Sequence, residues 1–138
     1  MKHAFFLANL LASLVVFAAI AHAEPDWTLV EKTLLAEAAS EGEAGMFAVG
    51  CVMRNRGYNL NGFAGSRRQD LDDFVRHQPP RVQAAARRCV QRLRAGVRDV
   101  TLGATHYENT GAFGVPNWAR GRKPLTRIGR HTFWRIEE

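Results

Sequence analysis

Three glutamates stand close together in the first third of the sequence, at Glu37, Glu41 and Glu43. Cutting a glycosidic bond requires a carboxylic acid that is still protonated near neutral pH, so that it can protonate the leaving oxygen. Burial against apolar side chains and a nearby negative charge both raise the pKa of a carboxyl group. Glu37 is the candidate acid, and Glu41 follows it at i+4, the spacing of neighbours on a helix. A glutamate at the edge of an apolar stripe is more often an ordinary solvated residue, so the cluster alone does not show that Glu37 is a catalytic acid.

A second set of polar and aromatic residues lies in the last third of the chain. Such side chains could line a sugar-binding site, with Trp118 as a platform on which a sugar ring stacks. They could equally be strand residues with satisfied hydrogen bonds around a core tryptophan. The candidates are His106, Tyr107, Asn109, Trp118, His131 and Thr132.

The spacing of the potential ligands does not favour a metal site. His106, Glu108 and His131 could supply three zinc ligands. However, Glu108 follows His106 at i+2, and the sequence has neither a helical H-x-x-x-H pair nor a C-x-x-C motif. We therefore expect no metal and no cofactor.

The two cysteines, Cys51 and Cys89, allow two interpretations. They lie in different predicted helices, and in an oxidising compartment they could form a disulfide that closes a long loop. They could equally be two small buried apolar residues, as free cysteines often are. The sequence does not choose between them.

A helix must position Glu37. Asp26 is a predicted N-cap, and apolar residues follow at helical spacing to about Ala39. Glu37 falls about 20° from Val30 around the helix axis, at the edge of the apolar stripe. The pattern therefore predicts a half-buried carboxylate.

Helices are predicted first along the chain and strands afterwards, which indicates an α+β fold with a small antiparallel sheet. The helix after Glu43 is apolar on nearly every side, which is typical of the centre of a domain. The arginines of the last long helix are interpreted as a solvated face. In chain order we predict a turn over 40–45, a buried helix over 46–56, an irregular connection over 58–69, helices over 70–76 and 80–95, strands over 104–107 and 131–136, and a loop over 109–130.

The amino terminus has the features of an export signal. Lys2 gives a positive start, an apolar run follows, and Ala21-His22-Ala23 provides a small-x-small cleavage motif. We predict a signal peptide over residues 1–23 and a single domain over 24–138. An uncleaved membrane anchor is the alternative, because the apolar run is longer than a usual signal core.

The net positive charge of the chain favours anionic binding partners. All 13 acidic residues and every basic residue except Lys2 follow Ala23, so the formal charge of +6 becomes +5 after cleavage. An exported basic domain has several anionic partners available, including envelope polymers, lipid headgroups and extracellular nucleic acid. Charge alone does not select one.

Two separated blocks of motifs together resemble one family, the SleB-type cell wall hydrolases. The first block matches the family's E-A-R-G-E, G-Q-x-A-V and N-R elements without insertion or deletion, although Ala39-Ser40 replaces Arg-Gly and Met46 replaces Gln. The second matches G-A-T-H-F-x-N, P-x-W and I-G-x-H-x-F-Y/W. The matching residues are Glu37 to Glu41, Gly45, Ala48-Val49, Asn55-Arg56, Gly103 to Asn109, Pro116 to Trp118, and Ile128 to Trp134.

The resemblance implies a lysozyme-like, mainly helical domain that cleaves peptidoglycan as a muramidase or a lytic transglycosylase. It places the catalytic acid on Glu37. Substrate contacts are then expected from Glu41 and from the six residues of the last third. Peptidoglycan is the expected partner of an exported monomer in the periplasm or cell envelope. Nucleic acid is not expected, nor is membrane contact beyond the amino-terminal segment.

Two rival functions come from other classes of protein. A non-catalytic peptidoglycan-binding protein would use Trp118, Trp134 and the arginines. A secreted nuclease would suit the basicity, but the sequence offers no H-N-H or comparable acid–metal cluster. Within the enzymatic hypothesis, the absence of an aspartate from the matching motifs favours the transglycosylase, while Glu41 and Glu108 are the candidate second carboxylates of a hydrolase.

Overall fold

The computed structural model describes residues 23–137. The predicted signal peptide therefore lies, apart from Ala23, outside the described residues. Within 23–137, no helix is long and apolar enough to cross a membrane. The prediction of an α+β domain, mainly helical with a small antiparallel sheet, is confirmed. Its likeness to lysozyme stays a prediction.

The first helix, α1 (Trp27–Ala38), forms as its sequence pattern predicts. The side chain of Asp26 accepts a hydrogen bond from the backbone N–H of Leu29 at 3.0 Å, which caps the first turn. The apolar stripe packs into the core, and Glu37 at its edge is half-buried. The helix therefore ends with a carboxylate at the boundary between core and solvent.

The central helix, α2 (Gly42–Asn55), begins earlier than predicted. The turn expected over 40–45 is wrong, because a single 3-10 turn (Ala39–Glu41) connects α1 to α2. Gly42 takes a positive φ of 73°, which lets the chain change direction within one residue. The burial of α2 on all sides is confirmed, since residues 45–53 are all buried.

Two further helices complete the helical layer. They are α3 (Leu71–Arg76) and α4 (Pro80–Arg94), and α4 packs against both α1 and α2. The connection after α2 contains two 3-10 turns, Leu60–Gly62 and Ala64–Arg67.

The arginines of α4 do more than face solvent. Arg88 forms an ion pair with Glu43 at 2.8 Å, and the guanidinium of Arg92 lies 3.7 Å from the ring centroid of Phe47. Both contacts reach α2. Part of the predicted solvated face therefore holds the helix against its neighbour.

A turn held by Asp99 leads from the helices into the sheet. Its carboxylate accepts hydrogen bonds from Thr101, from the backbone N–H of Gly103 and from Asn55. Burial raises the pKa of Asp99, but the hydrogen bonds from Thr101 and Asn55 outweigh it and leave the pKa below its usual value. Asn55 also donates to the backbone oxygen of Ala104 at 2.8 Å, which ties the end of α2 to the start of the sheet.

The sheet has three antiparallel strands, β1 (His106–Glu108), β2 (Thr126–Ile128) and β3 (His131–Trp134), in the order β1–β3–β2. The strand β2 was not predicted and lies inside the expected loop over 109–130. That loop also contains a short helix, α5 (Thr110–Phe113), and a 3-10 turn (Asn117–Ala119). Three residues are too few for a period-2 pattern, so β2 is defined by its pairing with β3.

The two cysteines are free and buried, which is the second of the two interpretations and not the disulfide. Cys51 lies in α2 and Cys89 in α4. Cys89 donates a hydrogen bond to the backbone oxygen of Glu43 at 3.5 Å. Burial, with a smaller contribution from the charge of Glu43, raises the pKa of Cys89 to about 11, and burial also raises the pKa of Cys51.

Both thiols should therefore resist alkylation in the native protein. Only the thiolate reacts, and a raised pKa keeps the thiolate population small until the pH approaches that pKa. With iodoacetamide at pH 8 and no reductant, we expect negligible labelling of the folded protein and two labels after unfolding in guanidinium chloride, counted by mass spectrometry. Rapid native labelling would contradict the burial, and no labelling after unfolding would reveal a disulfide.

Candidate active site

Two hydrogen bonds fix the carboxylate of Glu37 at the end of α1. The backbone N–H of Gly65 donates to Oε1 at 2.7 Å, and the hydroxyl of Tyr107 donates to Oε2 at 2.7 Å. Both carboxylate oxygens thus have a donor from a different part of the chain.

Gly65 can reach Glu37 because it has no side chain. A Cβ at this position would lie 2.7 Å from the Cβ of Ala36 and 3.2 Å from Oε1 of Glu37. The hydroxyl of Ser66 donates to the backbone oxygens of Leu60 and Phe63, each at 2.8 Å, and so fixes the turn that carries Gly65. The glycine at position 65 and the serine at position 66 therefore allow this turn to approach α1 closely.

Tyr107 is held as a neutral phenol. Burial, and then the charge of Glu37, raises the pKa of Tyr107 well above its ordinary value. Its ring packs against His131 and Phe133, with ring centroids 4.8 and 5.9 Å apart, and is stacked on Phe63 at 6.4 Å. Tyr107 therefore keeps its proton near neutral pH and can donate it in a hydrogen bond.

A cavity of about 280 Å³ opens beside this carboxylate. It brings together four residues that the sequence proposed, namely Glu37, His106, Tyr107 and Trp118. The other residues that line it are a second glutamate, an arginine and three residues of the loop after α2. These residues are Glu108, Arg56, Gly62, Phe63 and Ala64. A pocket with aromatic walls and a few convergent polar groups is typical of a small-molecule or sugar site.

Trp118 forms an aromatic wall of the cavity. Its ring centroid is 5.1 Å from that of His106 and 5.2 Å from that of Trp134. The residue is 37% exposed, so one part of its ring is open to solvent. An exposed and rigid ring of this kind suits stacking on a sugar.

Glu108 is the second carboxylate of the cavity. Its Oε1 accepts a hydrogen bond from the backbone N–H of Asn109 at 2.8 Å. Glu41, the other candidate from the sequence, does not line the cavity. Its side chain is 6% exposed and forms an ion pair with Arg130 at 3.0 Å, which fastens the β2–β3 turn to the 3-10 turn between α1 and α2.

The three other candidate residues also lie outside the lining of this cavity. Asn109 caps α5, because its Oδ1 accepts a hydrogen bond from the N–H of Ala112 at 3.1 Å. Thr132 makes a hydroxyl–hydroxyl hydrogen bond with Thr110 at 3.2 Å. The ring of His131 is buried against Tyr107, and burial lowers the pKa of His131. These positions fit a supporting role better than substrate contact.

The zinc alternative meets a geometric obstacle. His106 and Glu108 pair with Trp134 and Thr132 of β3, whereas His131 is one residue along from Thr132. Side chains alternate between the two faces of a sheet, so His131 points to the opposite face from His106 and Glu108. Within residues 23–137 no three His, Cys, Asp or Glu residues lie together in a way that could hold a metal ion.

One side of the cavity is closed by a loop that was not predicted to border the site, with Gly62, Phe63, Ala64 and Gly65. Two glycines flanking an aromatic residue are a signal of close backbone approach, and this signal could have identified the loop. Arg56 was not assigned a role either, although it belongs to the matching Asn-Arg element. Its proximity to Glu37 depends on the fold of that loop.

The chain matches the model of a known protein family. A family model described as Cell Wall Hydrolase matches residues 40–134, most of the chain. The matched range includes the cavity residues His106, Tyr107 and Trp118, and Glu37 lies just before its first residue. No curated protein and no solved structure matches the chain.

Gly65→Ala should destabilise the fold because its Cβ would collide with Ala36. We expect a loss of about 1–3 kcal/mol in the free energy of unfolding, the usual range for overpacking. Denaturant unfolding followed by circular dichroism measures it. Gly111→Ala is the control, since its Cβ would approach nothing closer than Asn109 Oδ1 at 3.6 Å. Equal stability of the two variants would contradict the close approach of Gly65 to α1.

Proposed function

The chain belongs to the cell wall hydrolase family, whose substrate is peptidoglycan, and we propose that it cuts the glycan strand between N-acetylmuramic acid and N-acetylglucosamine with Glu37 as its acid and base. One observation carries this proposal. Glu37 lies at the wall of an aromatic-lined cavity, with both carboxylate oxygens already bound by fixed donors. Such a carboxylate is ready to accept the negative charge that develops as it gives up a proton.

In the first step, protonated Glu37 donates its proton to the glycosidic oxygen as the bond from that oxygen to C1 of muramic acid breaks. Negative charge then develops on Glu37. The hydrogen bonds from Gly65 and Tyr107 become stronger as this charge grows, which lowers the barrier more than it stabilises the starting state. Trp118 would hold a sugar ring in the cavity.

In the second step, the 6-hydroxyl of the same muramic acid attacks C1. Ionised Glu37 takes the hydroxyl proton, so the enzyme returns to its starting form and the product ends in 1,6-anhydromuramic acid. No water is consumed, and one carboxylate is sufficient. The hydrogen bonds of Glu37 support this route, because a single carboxylate accepts both of them and could act in both steps.

Hydrolysis is a second candidate outcome, and one observation favours it. Glu108 lines the same cavity as Glu37 and could activate a water molecule, whereas Glu41 is bound by Arg130. The product would then be a reducing muramic acid end. The two outcomes share the first step and differ in the atom that attacks C1.

The proposed function also implies where the protein is located. A cell wall hydrolase acts outside the cytoplasm. We propose that residues 1–23 direct export and that residues 24–138 form a monomeric catalytic domain in the periplasm or cell envelope. A non-catalytic binding protein remains the rival, and the next experiment separates the two.

The proposal predicts that Glu37→Gln greatly slows cleavage while the variant still binds the wall. Purified peptidoglycan is digested with residues 24–138 of the wild type or variant, and the products are identified by mass spectrometry. We expect a loss of about 100- to 10,000-fold, the range for removal of a general acid. Glu31→Gln is the matched control, because Glu31 is also a glutamate of α1 and does not line the cavity.

The products decide between the outcomes. Anhydromuramic ends that disappear with Glu37→Gln indicate the transglycosylase, and reducing muramic ends indicate the hydrolase. Cleavage by Glu37→Gln at the rate of the wild type would disprove the role of Glu37. Wall binding without cleavage by the folded wild type would favour the binding protein.

Tyr107→Phe should lower kcat by about 100-fold, since it removes one of the two donors that stabilise ionised Glu37. KM should change little, because the lost interaction strengthens only as charge develops. Tyr58→Phe is the control, because Tyr58 packs against Trp27 away from the cavity. A rise in KM at unchanged kcat would contradict this positioning role.

A further inference from the structure

Arg56 is a cation of the cavity that has no anion of its own. It follows the last residue of α2 and lines the same cavity as Glu37. Within residues 23–137, no carboxylate forms an ion pair with its guanidinium. By contrast, Arg68, Arg88 and Arg130 are each bound to a carboxylate.

The guanidinium of Arg56 is nevertheless held in place. Its Cζ lies 4.8 Å from the ring centroid of Phe63, which is the distance of a cation–π contact. Its other neighbour is Gly62, where a Cβ would come within 2.8 Å of Cζ. The missing side chain at Gly62 is therefore what leaves room for the guanidinium.

Arg56 also lines a second cavity, of about 240 Å³. Arg56 and His106 line both cavities, so these two side chains form a shared wall between them. The other residues of the second cavity are mainly polar. They are Asn55, Asn59, Thr105 and Ile136. A sugar in the first cavity could therefore extend a substituent past Arg56 into the second.

The two sugars of peptidoglycan differ in one substituent. Muramic acid carries a lactyl group, which either ends in a carboxylate or continues into a peptide stem with carboxylates of its own. Glucosamine carries neither. Arginine binds carboxylates through two parallel hydrogen bonds, more strongly and more directionally than lysine does.

We propose that Arg56 binds a carboxylate carried by muramic acid, and thereby places muramic acid rather than glucosamine beside Glu37. The inference rests on the proposed function and adds to it the residue that selects between the two sugars. The carboxylate has two sources, the free lactyl group and the peptide stem, and the experiment distinguishes them.

The test measures binding to the Glu37→Gln protein, in which the ligand is not consumed. Three tetrasaccharides are compared by calorimetry: one with peptide stems, one stripped of stems so that the lactyl carboxylates are free, and chitotetraose, which has no carboxylate. Adding Arg56→Gln should weaken binding of at least one carboxylate-bearing ligand by about tenfold or more, the effect of one charge-assisted contact. Chitotetraose binding should not change.

Two further variants keep the test decisive. Gly62→Ala retains the charge but puts a methyl group where the guanidinium lies, and the flexible end of Arg56 can move away without unfolding the protein. It should cause the same selective loss, to a smaller extent. Arg87→Gln changes the net charge equally at an exposed position of α4 and should have no effect.

Each outcome has a defined meaning. Selective loss with the stem-bearing ligand identifies a stem carboxylate, and selective loss with the stripped ligand identifies the lactyl group. Equal loss with all three ligands, or no loss, would overturn the proposal. Absence of wall cleavage by the wild type would refute the proposed function instead, and the binding comparison would still decide the role of Arg56.

Discussion

The hydrogen-bonded carboxylate of Glu37 is the point on which the rest of the structure depends. Its two donors come from Gly65 and Tyr107, which are 28 and 70 residues away along the chain. Helix α1, the loop after α2 and strand β1 must therefore all be in place before both bonds can form. The core of α1, α2 and α4 supplies the rigid base, and Glu37 marks the place where loop and sheet meet that base.

The sheet is small, but its register determines what reaches the cavity. Tyr107 pairs with Phe133, so their side chains share the face that packs toward the helices. His106 and Glu108 point to the other face, yet they line the same cavity as Tyr107 because β1 is an edge strand. An edge strand can thus present residues of both faces to one site. The ion pair of Glu41 with Arg130 keeps the opposite end of the sheet attached to the helices.

Much of this arrangement could be predicted from the sequence, because it is local. Helical periodicity placed Glu37 at the edge of an apolar stripe, and the β-forming residues around His106 and Tyr107 placed both residues in a strand. Gly42 was harder to interpret, because its positive φ lets α2 begin where a longer turn was expected. The roles of Arg56 and Phe63 depend on how the loop after α2 folds back onto α1. That path is set by contacts between residues far apart in the chain, which periodicity does not report.

The same reasoning explains the candidates that lie away from the cavity. Motif spacing identifies residues that matter to a family, but it does not separate substrate contacts from supports. His131 packs beneath Tyr107, Asn109 caps a helix turn, and Thr132 bonds across to Thr110. Each stabilises an element that borders the cavity, and contact of these three residues with substrate stays a prediction.

The proposed role of Glu37 requires the scissile bond to lie beside its carboxyl group, and a crystal structure of the Glu37→Gln protein with a bound peptidoglycan tetrasaccharide would show where that bond lies. We expect the glycosidic oxygen to lie within hydrogen-bonding distance of the residue 37 side chain, about 2.6–3.2 Å, with a sugar ring against Trp118. A glycan bound with all of its glycosidic oxygens away from residue 37, or bound outside this cavity, would contradict it.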